Sequence, residues 1–204
     1  MKARLFLPLA VLAFSVIPMC SATVITFDEL SDAGNGTLIP DAYQGLHWTN
    51  FAFVNTVLLT ANSGLSGYYY GMLTASNVAL NAHGDPAEID SPGTNFNFLS
   101  TYLTGAWNSN LNIQVQGFSG ATMLFNTTVV ASATSPTLFT FNYLNIDRLY
   151  FNSFGGQDAG FPSGMGEQFV MDNLTVEFVP EPSTFLLTGA GVLTLCALRK
   201  RKRP

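Results

Sequence analysis

"LNIQVQGF", residues 111–118, decides the fold class. Leu111, Ile113 and Val115 fall on one side of an extended chain, and Asn112, Gln114 and Gln116 fall on the other. A helix would scatter these residues around its circumference, whereas a half-buried strand sorts them. The same period of two runs through "TVITFDEL" (23–30), "TLFTFNYL" (137–144), "RLYFNSF" (148–154) and "EQFVMDNLTVEF" (167–178). Between these runs lie turn formers such as "SDAGNG" (31–36). Strands rich in Val, Phe, Tyr and Thr, with no convincing helical period, predict an all-β antiparallel β-sandwich of jelly-roll type. Only "TASNVALNAHG" (74–84) suggests a helical turn or two.

Charge divides the chain into three parts. Between Thr23 and Phe178, Arg148 is the only Lys or Arg, set against twelve carboxylates, a formal charge of −11. The whole-chain value of −5 hides this, because the other basic residues lie at the two ends. A polyanion without lysine cannot neutralise phosphates, so nucleic acid is excluded as a partner. Divalent cations and neutral partners stay open. Cys20 and Cys196 also lie outside the middle, which must therefore stand on its core without disulfides. About 155 residues suit one such core.

At the N-terminus, Lys2 and Arg4 precede an apolar run from Leu5 to Ile17, and Cys20-Ser21-Ala22 offers small residues before Thr23. That is the pattern of a signal peptide over residues 1–22, which implies the Sec translocon and signal peptidase as partners. The domain then spans residues 23–178. In residues 179–204, an apolar run from Phe185 to Leu198 meets Arg199, Lys200, Arg201, Lys202 and Arg203. As a transmembrane helix the run rises about 21 Å, short of a hydrocarbon core of about 30 Å, and snorkelling basic side chains make up the difference. Basic residues after the span place the C-terminus in the cytoplasm and the middle outside.

Val179-Pro180-Glu181-Pro182-Ser183, an apolar helix and an Arg-rich end together resemble the PEP-CTERM sorting signal of Gram-negative bacteria. The resemblance implies processing by an exosortase at or near Pro180, Glu181 and Pro182. Arg199 to Arg203 would hold the chain in the inner membrane until then. The two prolines keep the glutamate in extended chain, as an enzyme cleft requires. The middle resembles a secreted domain that accompanies this tail, through "ITFDEL" (25–30), "YQGLHWTNF" (43–51), "YLTGAWNSNLNIQVQGF" (102–118) and "FVMDNLTV" (169–176). Its pattern is also similar to carbohydrate-binding and galactose-binding-like jelly rolls. That likeness implies paired first and last strands, sometimes around calcium.

Asp28 and Glu29 end the opening strand, and Asp172 interrupts the closing one. If those strands are neighbours, the three carboxylates are candidate calcium ligands; otherwise the aspartates cap turns. "GDPAEID" (84–90) lacks the EF-hand spacing and reads as a solvated acidic loop. Trp48 and Tyr69 are candidate sugar platforms. By period Trp48 faces away from Phe51 and Phe53, and Tyr69 faces away from Tyr68 and Tyr70. Trp107 reads as core at a strand end. "SFGGQDAGFPSGMGEQ" (153–168) reads as a long mobile surface loop.

Catalysis has little to work with. His47 and His83 belong to no metal motif, no cysteine or lysine remains in the middle, and no nucleophile elbow occurs. The sequence therefore describes a non-catalytic protein, delivered to the cell surface or an extracellular polysaccharide matrix after sorting. The alternative is a carbohydrate-binding module with a defined, calcium-dependent or independent, glycan ligand.

Overall fold

Fourteen strands and two short helices follow one another in the computed structural model, which describes residues 21–31, 36–162, 164–179 and 191. The chain opens with β1 (Ala22–Ile25), β2 (Thr37–Leu38), β3 (His47–Thr49) and β4 (Phe51–Asn55). Helices α1 (Thr56–Ser63) and α2 (Gly67–Tyr70) come next, then β5 (Asn77–Asn81) and β6 (Ala87–Asp90). The long strands are β7 (Phe96–Gly105), β9 (Leu111–Ser119), β10 (Thr122–Ala131), β11 (Thr137–Ile146), β12 (Arg148–Phe154) and β14 (Phe169–Phe178). Two short strands, β8 (Asn108–Ser109) and β13 (Gln157–Asp158), pair with each other.

One sheet has the order β11-β7-β14-β5-β4-β2, with β1 also against β14; the other has β10-β9-β12-β6-β3. All pairings are antiparallel. From β5 onward the long strands alternate between the sheets except at the β9–β10 hairpin, which is the winding expected of a jelly roll. One buried cluster draws on both sheets: Phe98, Leu103, Phe169 and Met171 from the first meet Leu111, Ile113, Val115, Leu149 and Phe151 from the second. Each such side chain contributes about 1.5–3 kcal/mol through removal from water. The alternation read in 111–118 is real, since Leu111, Ile113 and Val115 are all fully buried. Gly117 then leaves room for the Tyr143 ring, which an added Cβ would approach to 2.9 Å.

The period of two breaks where asparagine takes a left-handed conformation. In β14, Asp172 is opposite Tyr102 and Thr175 is opposite Ser100, so Asn173 and Leu174 share the place of Thr101. This bulge, with Asn173 at φ 49, switches the core-facing set from Phe169 and Met171 to Leu174 and Val176. Asn50 (φ 56) lies between β3 and β4, which belong to different sheets. Trp48 and Phe51 therefore both reach the core, their rings edge to face at 5.5 Å, contrary to the opposed faces read from the sequence.

The helices were not foreseen. Helix α1 starts where the Asn55 side chain accepts the Leu58 N–H, a cap that satisfies an otherwise orphaned donor. A second, smaller apolar cluster joins Tyr68 and Ala106 to Val54, Val78 and Val170 of the first sheet, with Leu59 and Trp107 packed beside it. The stretch 74–84 forms strand β5 and a single 3-10 turn at Ala82–Gly84. Half of "GDPAEID" is strand β6, with Ala87 and Ile89 buried and Glu88 3.2 Å from Arg148. The 153–168 stretch is stitched down by β13 and by the Ala159 N–H to the Trp107 carbonyl.

Among the described residues no helix is long and apolar enough to cross a membrane. The signal-peptide residues up to Cys20, the Pro180–Pro182 motif and the basic cluster 199–203 lie outside the described residues; of the 185–198 run only Gly191 is described.

Candidate functional site

Strand β14 carries the domain to its end. Its last residues pair with β7 on one side (Phe178 opposite Phe96) and β1 on the other (Glu177 opposite Ala22). The Val179 N–H still bonds to the Asn95 carbonyl. The beginning and the end of the sandwich thus lie side by side, and the chain leaves a fully paired strand one residue before Pro180.

The neighbouring terminal strands meet the condition set for the candidate calcium ligands, yet the three carboxylates do different things. Asp172 sits at the bulge, between the part of β14 paired with β5 and the part paired with β1. It is fully buried and accepts the N–H groups of Leu73 (2.8 Å), Thr74 (3.2 Å) and Asn173 (2.7 Å). Burial pushes its pKa up to about 6; the backbone donors work against that rise and the Asp28 charge adds to it. Asp28 accepts the N–H groups of Ser76 and Asn77, both at 3.2 Å. The two aspartates thereby hold the 73–77 segment by its backbone, the turn-capping role. Glu29 turns instead to the Tyr43 hydroxyl (2.7 Å) and the Gln44 amide (2.6 Å). Burial works to raise its pKa, but those hydrogen bonds outweigh it and hold the carboxyl below the ordinary value. Among the described residues no three His, Cys, Asp or Glu side chains gather to hold a metal ion. Asp28 Oδ1, Glu29 Oε1 and both Asp172 oxygens accept N–H or O–H donors, whereas a calcium site needs six or more converging oxygens.

Trp48 is only 8% exposed, its indole N–H donates to the Tyr43 carbonyl, and Phe27 and Phe51 pack edge to face against it. That ring is core and offers no platform. Tyr69 is exposed, in line with the sequence reading, although it sits on a one-turn helix and not on a strand. Its ring meets that of Tyr70 at 5.8 Å, and Tyr70 stacks on Phe161.

A pocket of about 260 Å³ opens elsewhere, between the helices and the loop before β14. Val54, Leu59, Leu80 and Trp107 supply apolar wall, while Ser63, Tyr68 and Gln168 bring polar atoms. Trp107 meets Tyr68 edge to face at 5.6 Å. Burial pushes the Tyr68 phenol up. Gly164 crosses the Trp107 ring so closely that an added Cβ would stand 2.5 Å from it. Among the described residues, Gln168 Oε1 is buried without a hydrogen-bond partner, and so is Thr60 Oγ1 on α1, the helix that supplies Leu59 and Ser63. No pattern in the sequence combines Tyr68, Trp107 and Gln168, because helices α1 and α2 bring the pocket wall to the sheet's outer face.

Fold and C-terminal segment together define a β-sandwich bearing a protein-sorting signal. Residues 178–202 match the family described as PEP-CTERM protein-sorting motif, so the chain carries that motif from the end of β14 onward. No curated protein matches the chain. Among solved structures, it is similar to a DUF4465 family protein from Bacteroides ovatus, with 10% identity and a TM-score of 0.47 over 77% of this chain and 88% of that one. It is also similar to the K1 cleaved adhesin domain of Lys-gingipain from Porphyromonas gingivalis W83, at 11% identity and TM-score 0.42, covering 79% and 99%. A third likeness is to TmCBM61 in complex with β-1,4-galactotriose, at 9% identity and TM-score 0.33, covering 70% and 95%.

Proposed function

We propose that this is a non-catalytic exported protein, cut by an exosortase at its C-terminal signal and released to the cell surface or an extracellular polysaccharide matrix. The observation that carries the reading is the sorting motif at residues 178–202, set immediately after the last strand. The N-terminal signal would lead the chain through the Sec translocon to signal peptidase. The C-terminal helix would then hold it in the inner membrane, with Arg199 to Arg203 in the cytoplasm. Because Thr23, Val24 and Ile25 pair with Val176, Thr175 and Leu174, cleavage before Thr23 and beyond β14 would leave the sandwich intact on its own core.

Replacing Glu181 with Ala in an exosortase-bearing host tests the reading. The full-length form should accumulate in the membrane fraction, and release at the wild-type level would refute it. A second reading, attachment to matrix through a bound glycan, is favoured by the half-apolar, half-polar pocket beside Trp107.

A further inference from the structure

We propose that β10 is a pairing edge, along which two copies of this chain join antiparallel about a two-fold axis and continue one sheet through both. Beyond sorting, this gives the exported domain a mode of association. At one side of the sandwich the sheets end in β2 and β3, of two and three residues. At the other they end in β10 and β11, of ten residues each, with the rings of Phe125 and Tyr143 stacked between them at 4.5 Å. Proteins guard long edges with lysine, proline, inward charge or bulges. Residues 91–146, which include both strands, contain no Asp, Glu, Lys or Arg, and neither strand contains proline. Strand β11 carries two register shifts, with Asn142 and Asn145 at positive φ, and these kink its edge. In β10 the register shift lies between Met123 and Phe125, and from Phe125 to Ala131 the pairing with β9 runs unbroken. Among the described residues β10 pairs only with β9, so alternate backbone N–H and C=O groups on its far side stand open to another strand.

The strand's own sequence selects a second copy as the partner. Outward from Thr127 in both directions, Asn126 corresponds to Thr128 and Phe125 to Val129. Antiparallel pairing about Thr127 therefore sets polar against polar and apolar against apolar, the self-complementarity that a two-fold contact requires. Phe125 and Val129 already pack against the core, so each extends that core towards the other copy. Leu124 and Val130, 47% and 54% exposed, flank the segment at its two ends. Charge favours the same edge. The 23–178 body holds one arginine and twelve carboxylates, so two copies repel wherever their charged strands face each other. The outer two strands of each sheet at this side, β10 with β9 and β11 with β7, are uncharged. Across a β10–β10 contact the two β12 strands stand five strand spacings apart, about 24 Å, or about three Debye lengths at 0.15 M salt. Asp147, which accepts the Gly120 N–H at the β9–β10 turn, lies about 20 Å along the strand from Thr127. A charged partner strand would meet no counter-charge on β10.

The test uses the full chain in a mild detergent, with Cys20 and Cys196 replaced by alanine, followed by sedimentation equilibrium and oxidative cross-linking. The chain should dimerise at about 100 μM, and more strongly as NaCl rises from about 0.02 M to about 0.3 M, because salt screens the two anionic bodies from each other. Thr127→Cys sets two thiols directly opposite each other, with Cα atoms about 4.5–5.5 Å apart, and should cross-link. Thr49→Cys, exposed on β3 at the other side of the sandwich, should not. Thr127→Lys opposes two like charges and should weaken dimerisation by about tenfold or more, whereas Thr49→Lys should not weaken it. Should Thr127→Lys lower the unfolding temperature, the Thr127→Cys cross-link decides alone. A chain that is monomeric at every concentration, as when a strand of another protein covers the edge, overturns the proposal. So does a dimer that a stably folded Thr127→Lys leaves untouched, or one that cross-links equally through Thr49→Cys.

Discussion

Replacement of Asp172 by asparagine isolates one buried charge. In the folded chain this carboxyl is fully buried, takes three backbone N–H groups, and titrates at about 6 instead of its ordinary 3.8. A carboxyl whose folded pKa is raised stabilises the fold while protonated. That contribution is complete below about pH 4 and disappears as pH rises through about 6. A rise of roughly two units corresponds to about 3 kcal/mol, at 1.36 kcal/mol per unit. The side-chain amide of Asp172→Asn would keep an acceptor oxygen for the 73–74 backbone without the charge. Urea unfolding of both proteins at pH 4, 5, 6 and 7 gives the stability difference at each pH. The variant should gain about 3 kcal/mol on the wild type between pH 4 and pH 7, with the change centred between 4 and 6. The subtraction removes other titrating groups, including Glu29, whose lowered pKa acts in the opposite direction. A difference that stays flat with pH would refute the raised pKa. One that runs the other way would mean that the amide donors outweigh burial and hold the carboxylate ionised.

Trp48→Ala should cost about 3–5 kcal/mol in urea unfolding, because it empties a packed core site. Tyr69→Ala should stay within about 0.5 kcal/mol, and equal costs would contradict the placement of the two rings. Gly67→Ala should destabilise by about 3 kcal/mol or more, since its Cβ would stand 1.8 Å from the Gly105 carbonyl oxygen; a lowering of the unfolding temperature measures it. Gly164→Ala should lift the loop from Trp107 and increase acrylamide quenching of tryptophan fluorescence, and unchanged quenching would contradict the close crossing.

The long strands were readable because their side chains obey one rule, alternation across a single buried face. Residues 111–115 show it most plainly. What escaped was every place where the rule is reset. Asn50, Asn142, Asn145 and Asn173 all adopt positive φ, and register shifts or a change of sheet occur beside them. Asparagine is among the few residues that enter this region readily, so a run read as one strand can change its inward set after an Asn. Trp48 was misassigned through such a reset at Asn50.

The pocket was hidden for a different reason. Its wall includes Leu59 and Ser63 from a helix with no clear apolar stripe, and only the Asn55 cap announced that helix. The pairing of β1 with β14 brings Asp28 close enough to Asp172 for its charge to be felt there. The segment that binds them, 73–77, is distant in sequence and could not be inferred from strand patterns. The sorting motif needed no fold, since its three ordered elements are adjacent in the chain.

Intact-mass and terminal-peptide mass spectrometry of the protein recovered from an exosortase-bearing host, compared with an exosortase-deficient one, is the most direct examination of the account. With the enzyme, the recovered chain should begin near Thr23, end at or near Pro180–Pro182, and lack Arg199 to Arg203. Without it, the tail should persist in the membrane fraction. Recovery of the same intact, tail-bearing chain outside the cell in both hosts would contradict it.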